Sequence, residues 1–172
     1  AKRLSNAFSG LVPDWYWLNA LQYIGRKLEQ TPRGPAGPQT AELDRLKALA
    51  SHHDIAHRVQ FVGRLTDAEM IEHFARCRAV VFPPFNEDYG FVTVEAFASR
   101  KSVLTCSDSG GAAELVEDGK TGLVCDPTPE ALAVAIARVM ANPASAERRG
   151  PAAADWVATL TWSETVKRLM IV

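Results

Sequence analysis

The chain has 172 residues, of which 47% are hydrophobic and 23% are charged, and its formal net charge is −1. These values are typical of one soluble globular domain and exclude a disordered polypeptide. The near-neutral charge and the scattered basic residues argue against nucleic acid or an anionic membrane as a partner. No run approaches the roughly 18 apolar residues of a membrane span, so we expect no transmembrane segment. Nor does the N-terminus resemble a signal peptide.

Short apolar runs that favour β-strands alternate with stretches of helical periodicity. The predicted strands are 21–24, 59–62, 79–82, 102–106 and 122–124. Helices are predicted from Ala41, after the N-cap Thr66 with Glu69 completing a capping box, from about Gly90 to Ala98, from Pro129, and in one or two segments after Ala144. Continuously apolar strands that alternate with helices predict a doubly wound α/β domain with a mostly parallel sheet, over residues 1–172.

Three cysteines, Cys77, Cys106 and Cys125, lie far apart in the sequence. An odd number without CxxC spacing argues against a disulfide framework or a zinc site. Each cysteine lies in or beside an apolar run, which predicts buried, reduced thiols in a cytoplasmic protein.

Ligands of doubly wound sheets bind at the carboxyl ends of the strands. The loop after the predicted strand 79–82 turns through prolines and carboxylates and enters a helix at about Gly90. A helix start offers unpaired N–H groups and the positive end of the helix dipole, and Gly90 lets a ligand approach the backbone. Glu87 and Glu95 flank this start, where they would suit a sugar and a ribose on either side of a phosphate. Acidic residues also stabilise a helix start without a ligand, so spacing alone leaves both interpretations open.

A second loop follows the predicted strand 102–106 and contains Gly110 and Gly111. The paired glycines would either open space for a phosphate or sugar, or simply make the turn. We expect this loop to lie beside the first one on the same edge of the sheet.

Taken together, residues 58–127 resemble the C-terminal domain of the retaining glycosyltransferase family 4, which has the two-domain GT-B architecture. The family's signature is a pair of glutamates separated by seven residues, here Glu87 and Glu95. The resemblance extends through 58–63, 109–116 and 118–124, and to Trp162 before the last predicted helix. These segments span nearly half the chain in the right order, which is far more specific than two glutamates alone.

The resemblance implies transfer of a hexosyl group from a nucleoside diphosphate sugar to an acceptor, with retention of configuration. Glu95 would hold the ribose hydroxyls, whereas Glu87 would be the catalytic residue, facing the donor sugar and stabilising its developing positive charge. The other donor-binding residues would be Asp88, Tyr89, Gly90, Phe91, Val92 and Thr93 at the helix start, Arg64 and Leu65 near the base, and Lys2 at the diphosphate. The family generally needs no metal or other cofactor, and the chain has no DxD-type metal motif.

Two departures from the family pattern affect the diphosphate site. Asp88 stands where the family commonly has glycine, and it adds a negative charge near the expected diphosphate. Lys2 resembles the family's phosphate lysine, but the strand and the arginine that normally precede it are absent.

The family's catalysis occurs in the cleft between two domains, and this chain is too short to hold the N-terminal acceptor domain. We therefore expect the donor-binding half of an enzyme, inactive as an isolated domain and lacking the family's first strand. Such an incomplete sheet predicts either poor solubility or self-association through the gap. Contacts with the inner face of a membrane would be made by the missing domain.

Three alternatives stay open at this point. The chain would otherwise be a non-catalytic nucleotide-binding module or one half of a two-chain enzyme. A nucleotide-sugar epimerase has the same architecture, but it would need catalytic carboxylates and a histidine that the sequence does not visibly supply.

Overall fold

The computed structural model describes residues 38–63 and 65–170. The predicted strand 21–24, Lys2 and Arg64 lie outside the described residues. The chain forms two compact units, Ala1–Cys77 and Arg78–Val172. That residues 1–172 act together as one nucleotide-sugar-binding domain stays a prediction, as does self-association through an incomplete sheet.

The described part of the first unit is helical. It contains α1 (Pro38–His52), a short 3₁₀ helix (Ala56–Arg58) and α2 (Asp67–Arg76). The predicted capping box of α2 is confirmed, because the Glu69 N–H donates to Thr66 Oγ1 and the Thr66 N–H donates to Glu69 Oε2. Met70 and Phe74 form the buried face of α2, whereas Ile71 is exposed.

Residues 59–62 were predicted to form a strand, and this prediction is wrong for the described structure. Val59 has extended backbone angles, with φ −119° and ψ 124°, but residues 59–62 are not assigned to a strand. β-Branched and aromatic residues such as Val59 and Phe61 favour extended backbone, but a strand also requires a partner that accepts and donates ladder hydrogen bonds.

The second unit alternates strands and helices. Its elements are β1 (Ala79–Val81), α3 (Phe91–Ala98), β2 (Ser102–Cys106), α4 (Gly111–Leu115), β3 (Gly122–Cys125), α5 (Pro129–Ala141), α6 (Pro143–Val157) and α7 (Trp162–Met170). The strands form a parallel sheet in the order β1-β2-β3, with Val80 opposite Val103 and Leu104 opposite Leu123. The predicted α/β class with a parallel sheet is therefore confirmed.

The core of this unit is built around the central strand β2. All five residues of β2 are buried, because strands pair with it on both sides and helices pack against it. Leu104 and Leu123 pack with Ala135 and Val139 of α5 and Ala146 of α6 in one apolar cluster. This burial on both faces explains why β2 lacks the regular apolar–polar alternation of a half-exposed strand, although Ser102 and Thr105 are polar.

Local signals set the helix starts after the sheet. Thr128 caps α5 by accepting from the Ala131 N–H at 3.2 Å, and Pro129 occupies the first turn. Asn142 caps α6 in the same way through the Ser145 N–H, at 3.1 Å. In the described part of the chain, no helix is long and apolar enough to cross a membrane.

Candidate functional site

The candidate site lies where β1 and β2 end. The loop after β1 and the loop after β2 run side by side, and Glu87 and Gly110 form a parallel β-bridge. The Glu87 N–H donates to Ser109 O at 3.3 Å, and the Gly111 N–H donates to Glu87 O at 2.7 Å. One residue earlier, the Asn86 N–H donates to Asp108 O at 3.0 Å. The prediction that these two loops are neighbours on one edge of the sheet is confirmed.

The glycines of this site make room for the neighbouring loop. A Cβ atom on Gly110 would lie 2.6 Å from Glu87 O, and one on Gly111 would lie 2.7 Å from Asp88 O. A Cβ on Gly90 would lie 2.8 Å from Ala112 Cα. The sequence left open whether the paired glycines admit a ligand or make a turn. In the structure, the space left by their missing side chains is taken by backbone contact between the loops.

The start of α3 has the features of an anion site. Gly90 is the N-cap residue in the left-handed conformation (φ 82°), which suits glycine, and no side chain caps the helix. The Phe91 and Val92 N–H groups stand in the first turn, where a helix supplies no acceptor. Together with the helix dipole, they form a partly positive end that favours a phosphate.

One face of α3 is buried and the other is open. Val92, Thr93, Ala96 and Phe97 are buried, whereas Phe91 is 67% exposed and Glu95 is also exposed. Glu95 is four positions after Phe91, so it lies one turn further along the same exposed face. Its carboxylate is therefore on the accessible side of the helix.

Three aromatic side chains lie at the helix start or on the loop before it. The rings of Tyr89 and Phe91 are in contact, with centroids 4.7 Å apart, and Phe85 is 84% exposed on the preceding loop. Sequence reasoning did not single out Phe85. The available signal was an aromatic residue directly after two prolines in a loop rich in polar residues.

The structure brings most of the predicted site residues onto one loop and helix. Glu87 is half-buried, and Asp88 and Tyr89 are exposed. Gly90 is buried against the second loop, so its missing side chain serves that contact and does not by itself open the backbone to a ligand.

Thr93 is the one predicted donor-binding residue of this helix whose side chain is fully buried, and its role at the donor stays a prediction. Its side chain is fully buried, and its N–H donates to Gly90 O at 2.8 Å. Neither group faces solvent, because Thr93 lies on the buried side of α3. The Thr93 N–H is thus used within the helix start, whereas its buried Oγ1 has no hydrogen-bond partner among the described residues.

The other predicted donor-binding residues are Leu65, Arg64 and Lys2. Leu65 is half-buried and belongs to the first unit, whereas Arg64 and Lys2 lie outside the described residues. Their roles at the base and the diphosphate stay predictions. Among the described residues, no group of three or more His, Cys, Asp or Glu side chains is arranged to hold a metal ion.

Sequence comparison identifies relatives over most of the chain. Residues 28–156 match the family model described as Glycosyl transferases group 1. The chain is 38% identical over 152 residues to a glycogen synthase of Mycobacterium tuberculosis, covering 83% of this chain and 36% of that protein. It is 31% identical over 137 residues to a D-inositol 3-phosphate glycosyltransferase of Corynebacterium glutamicum, covering 79% of this chain and 32% of that protein. The chain thus spans about a third of the length of these relatives.

Solved structures agree with this relationship. Sucrose-phosphate synthase (tll1590) from Thermosynechococcus elongatus superposes with a TM-score of 0.71 at 23% identity, covering 98% of this chain and 48% of that chain. Anabaena Alr3699/HepE in complex with UDP-glucose superposes with a TM-score of 0.64 at 25% identity, covering 77% of this chain and 36% of that chain. The structural neighbours are GT-B glycosyltransferases, which confirms the predicted fold class. The parallel sheet with its paired loops agrees with a family match over most of the chain, and the chain belongs to the glycosyl transferases group 1 family.

Proposed function

We propose that this chain is the donor-binding half of a retaining glycosyltransferase that moves a hexosyl group from a nucleoside diphosphate sugar to an acceptor. The proposal is supported by the family membership and by the UDP-glucose complex of one structural neighbour. The observation that carries it is the uncapped start of α3, flanked by Glu87 and Glu95 at the carboxyl edge of the parallel sheet. We further propose that the reaction uses no metal ion or other cofactor.

In this proposal, the distal phosphate of the donor lies at the start of α3. The N–H groups of Phe91 and Val92 donate to the phosphate oxygens, and the helix dipole favours the negative charge. As the sugar leaves, negative charge grows on the diphosphate. Donors that are already oriented toward this charge stabilise it without reorganisation, which is the role that a metal ion has in other transferases.

Glu87 would face the donor sugar. Its backbone is held on both sides, since its N–H donates to Ser109 O and its carbonyl accepts from the Gly111 N–H. A carboxylate on a backbone fixed in this way is suited to stabilise the positive charge that develops on the sugar ring. Glu95, on the exposed face of α3, would accept hydrogen bonds from the two ribose hydroxyls, which a carboxylate with two oxygens suits well.

The other half of the reaction would come from the part of the relatives that this chain does not span. The proposed acceptor site belongs there, so we expect the isolated chain to bind donor but not to transfer the sugar. Arg64 and Leu65 would contact the base, and Lys2 would contact the diphosphate.

Calorimetric titration tests the donor site. The chain is titrated with UDP, GDP, ADP and their glucose conjugates, with magnesium and with EDTA. We expect one nucleotide series to bind with equal affinity under both conditions. In Glu95→Gln, loss of charged hydrogen bonds should weaken binding about tenfold to a hundredfold. Glu130→Gln is the matched control, because Glu130 is an exposed carboxylate in the first turn of another helix.

Two results would contradict the proposal. One is a chain that is folded by circular dichroism but binds none of the nucleotides. The other is equal loss of affinity in Glu95→Gln and Glu130→Gln. Retention is tested separately, on a longer protein that includes the acceptor-binding part, by proton NMR of the anomeric configuration of the first product formed.

A further inference from the structure

Two cysteines meet at the ends of neighbouring strands. Cys106 is the last residue of β2, Cys125 is the last residue of β3, and the two are direct partners in the parallel ladder. Their Sγ atoms are 3.8 Å apart, and both are free thiols. The sequence predicts isolated buried cysteines. Burial is confirmed for Cys77 and Cys106, whereas Cys125 is half-buried and lies beside Cys106.

The backbone already has the spacing of a disulfide. Paired strands lie about 4.7 to 4.9 Å apart, and disulfides join Cα atoms that are about 4.4 to 6.8 Å apart. The sulfur atoms must approach to about 2.05 Å. Because the strands are in register, this approach requires rotation of the two side chains and no change in strand pairing.

The pair lies directly beneath the candidate site. The Cys106 N–H donates to Ser109 Oγ at 3.2 Å, and the Ser109 N–H donates to Cys106 O at 3.0 Å. The Ser107 N–H donates to Cys125 O at 2.9 Å. Ser109 O in turn accepts from the Glu87 N–H. A change at Cys106 therefore reaches the backbone of Glu87 through one residue, Ser109.

We propose that Cys106 and Cys125 form a reversible disulfide in the presence of a peroxide, and that this bond changes the geometry of the loop that holds Glu87. In the first step, the Cys125 sulfur attacks hydrogen peroxide, which yields a sulfenic acid on Cys125 and one water. In the second step, the Cys106 sulfur attacks the sulfenic sulfur, and its proton leaves with the hydroxyl group as a second water. Two thiols are oxidised by two electrons, and the peroxide is reduced to two waters. A small dithiol reductant restores both thiols.

The order of the two steps follows from burial. Cys106 is 5% exposed, whereas Cys125 is half-buried and can meet a small oxidant. Burial, with the neighbouring Cys125 thiol adding to it, raises the pKa of Cys106 to about 12. Cys106 is therefore a neutral thiol near pH 7. Because the thiolate is the reactive form, Cys106 is the poorer first nucleophile and is assigned the second step.

Intact-mass spectrometry of the chain tests the bond. After peroxide treatment and quenching, the wild-type chain should lose two hydrogens and keep one alkylatable thiol. Cys77→Ala should lose two hydrogens and keep none. Cys125→Ser, a nearly isosteric change at a half-buried position, should lose no hydrogens and gain only oxygen. Peptide mapping should join the segments that contain Cys106 and Cys125, and dithiothreitol should reverse the change.

Hydrogen exchange tests the effect on the loop. In the oxidised wild-type chain, the Glu87 and Gly111 amides should exchange faster than in the reduced chain, whereas peroxide should leave their exchange unchanged in Cys125→Ser. A disulfide that involves Cys77, or no disulfide in a folded chain, overturns the redox site. A Cys106–Cys125 bond with unchanged exchange overturns the coupling to the loop. An effect of oxidation on nucleotide affinity rests on the proposed function. If the bond forms but neither redox form binds nucleotide, the proposed function fails and the redox site stands.

Discussion

Replacing Gly110 with alanine should open the contact between the two loops of the site. The new Cβ would lie 2.6 Å from Glu87 O, whereas ordinary contacts begin at 3.4 Å, so the loops must separate by about 0.8 Å. That shift weakens two hydrogen bonds, from the Gly111 N–H to Glu87 O and from the Glu87 N–H to Ser109 O. Each bond contributes about 1 kcal/mol net. The positive φ of 59° with ψ −133° adds about 1 to 3 kcal/mol of backbone strain in alanine. The expected decrease in the free energy of unfolding is about 3 to 5 kcal/mol.

Gly119→Ala is the matched control. Gly119 also has a positive φ, of 78°, but a Cβ there would meet nothing within 4 Å. Gly119→Ala should therefore lower the free energy of unfolding by only about 1 to 2 kcal/mol, which is the cost of the left-handed conformation in alanine. Urea unfolding of both variants measures the difference, and hydrogen exchange at the Gly111 amide shows whether the loss is local. Equal destabilisation of the two variants would refute the steric explanation, since it would mean that strain alone accounts for the effect at Gly110.

Three further predictions concern α2 and the donor site. Thr66→Ala removes the cap of α2 and should lower the free energy of unfolding by about 1 kcal/mol, whereas Thr66→Ser should retain most of this stabilisation. The hydrogen bonds from the Thr66 N–H and then its hydroxyl lower the pKa of Glu69. Ionised Glu69 therefore stabilises the folded state above its unfolded pKa, and this stabilisation is lost as the pH falls through the lowered folded pKa. Urea unfolding from about pH 7 to pH 3 should show this loss in the wild type but not in Glu69→Gln. Asp88→Asn removes a negative charge beside the proposed phosphate site and should tighten nucleotide binding by calorimetry. The gain should shrink as salt is added, because Asp88 is exposed. Unchanged affinity at low salt would place the phosphate elsewhere.

Sequence reasoning was accurate where structure depends on near neighbours in the chain. Thr66 and Glu69 are three residues apart, and their hydrogen bonds determine the start of α2. Thr128 and Pro129 determine the start of α5 in the same way. Strand 102–106 was predicted with its observed bounds from Val103, Leu104 and Cys106, because a central strand of a parallel sheet is buried on both faces and therefore rich in apolar residues. The prediction of a strand at 59–62 was wrong, because extended backbone depends on residues nearby in the chain whereas strand pairing depends on residues far away.

The sequence by itself determined the class of the fold, the starts of α2 and α5 and the segment that carries Glu87 and Glu95. Only the tertiary structure decided what those residues meet. The bridge between Glu87 and Gly110, the use of the glycines for contact between loops, and the pairing of Cys106 with Cys125 all join residues that are far apart in the chain. Caps and apolar runs are specified by groups a few residues apart, so each can be predicted from a single short segment of the sequence. Contacts between loops depend on strand register, which is set by the packing of the whole sheet.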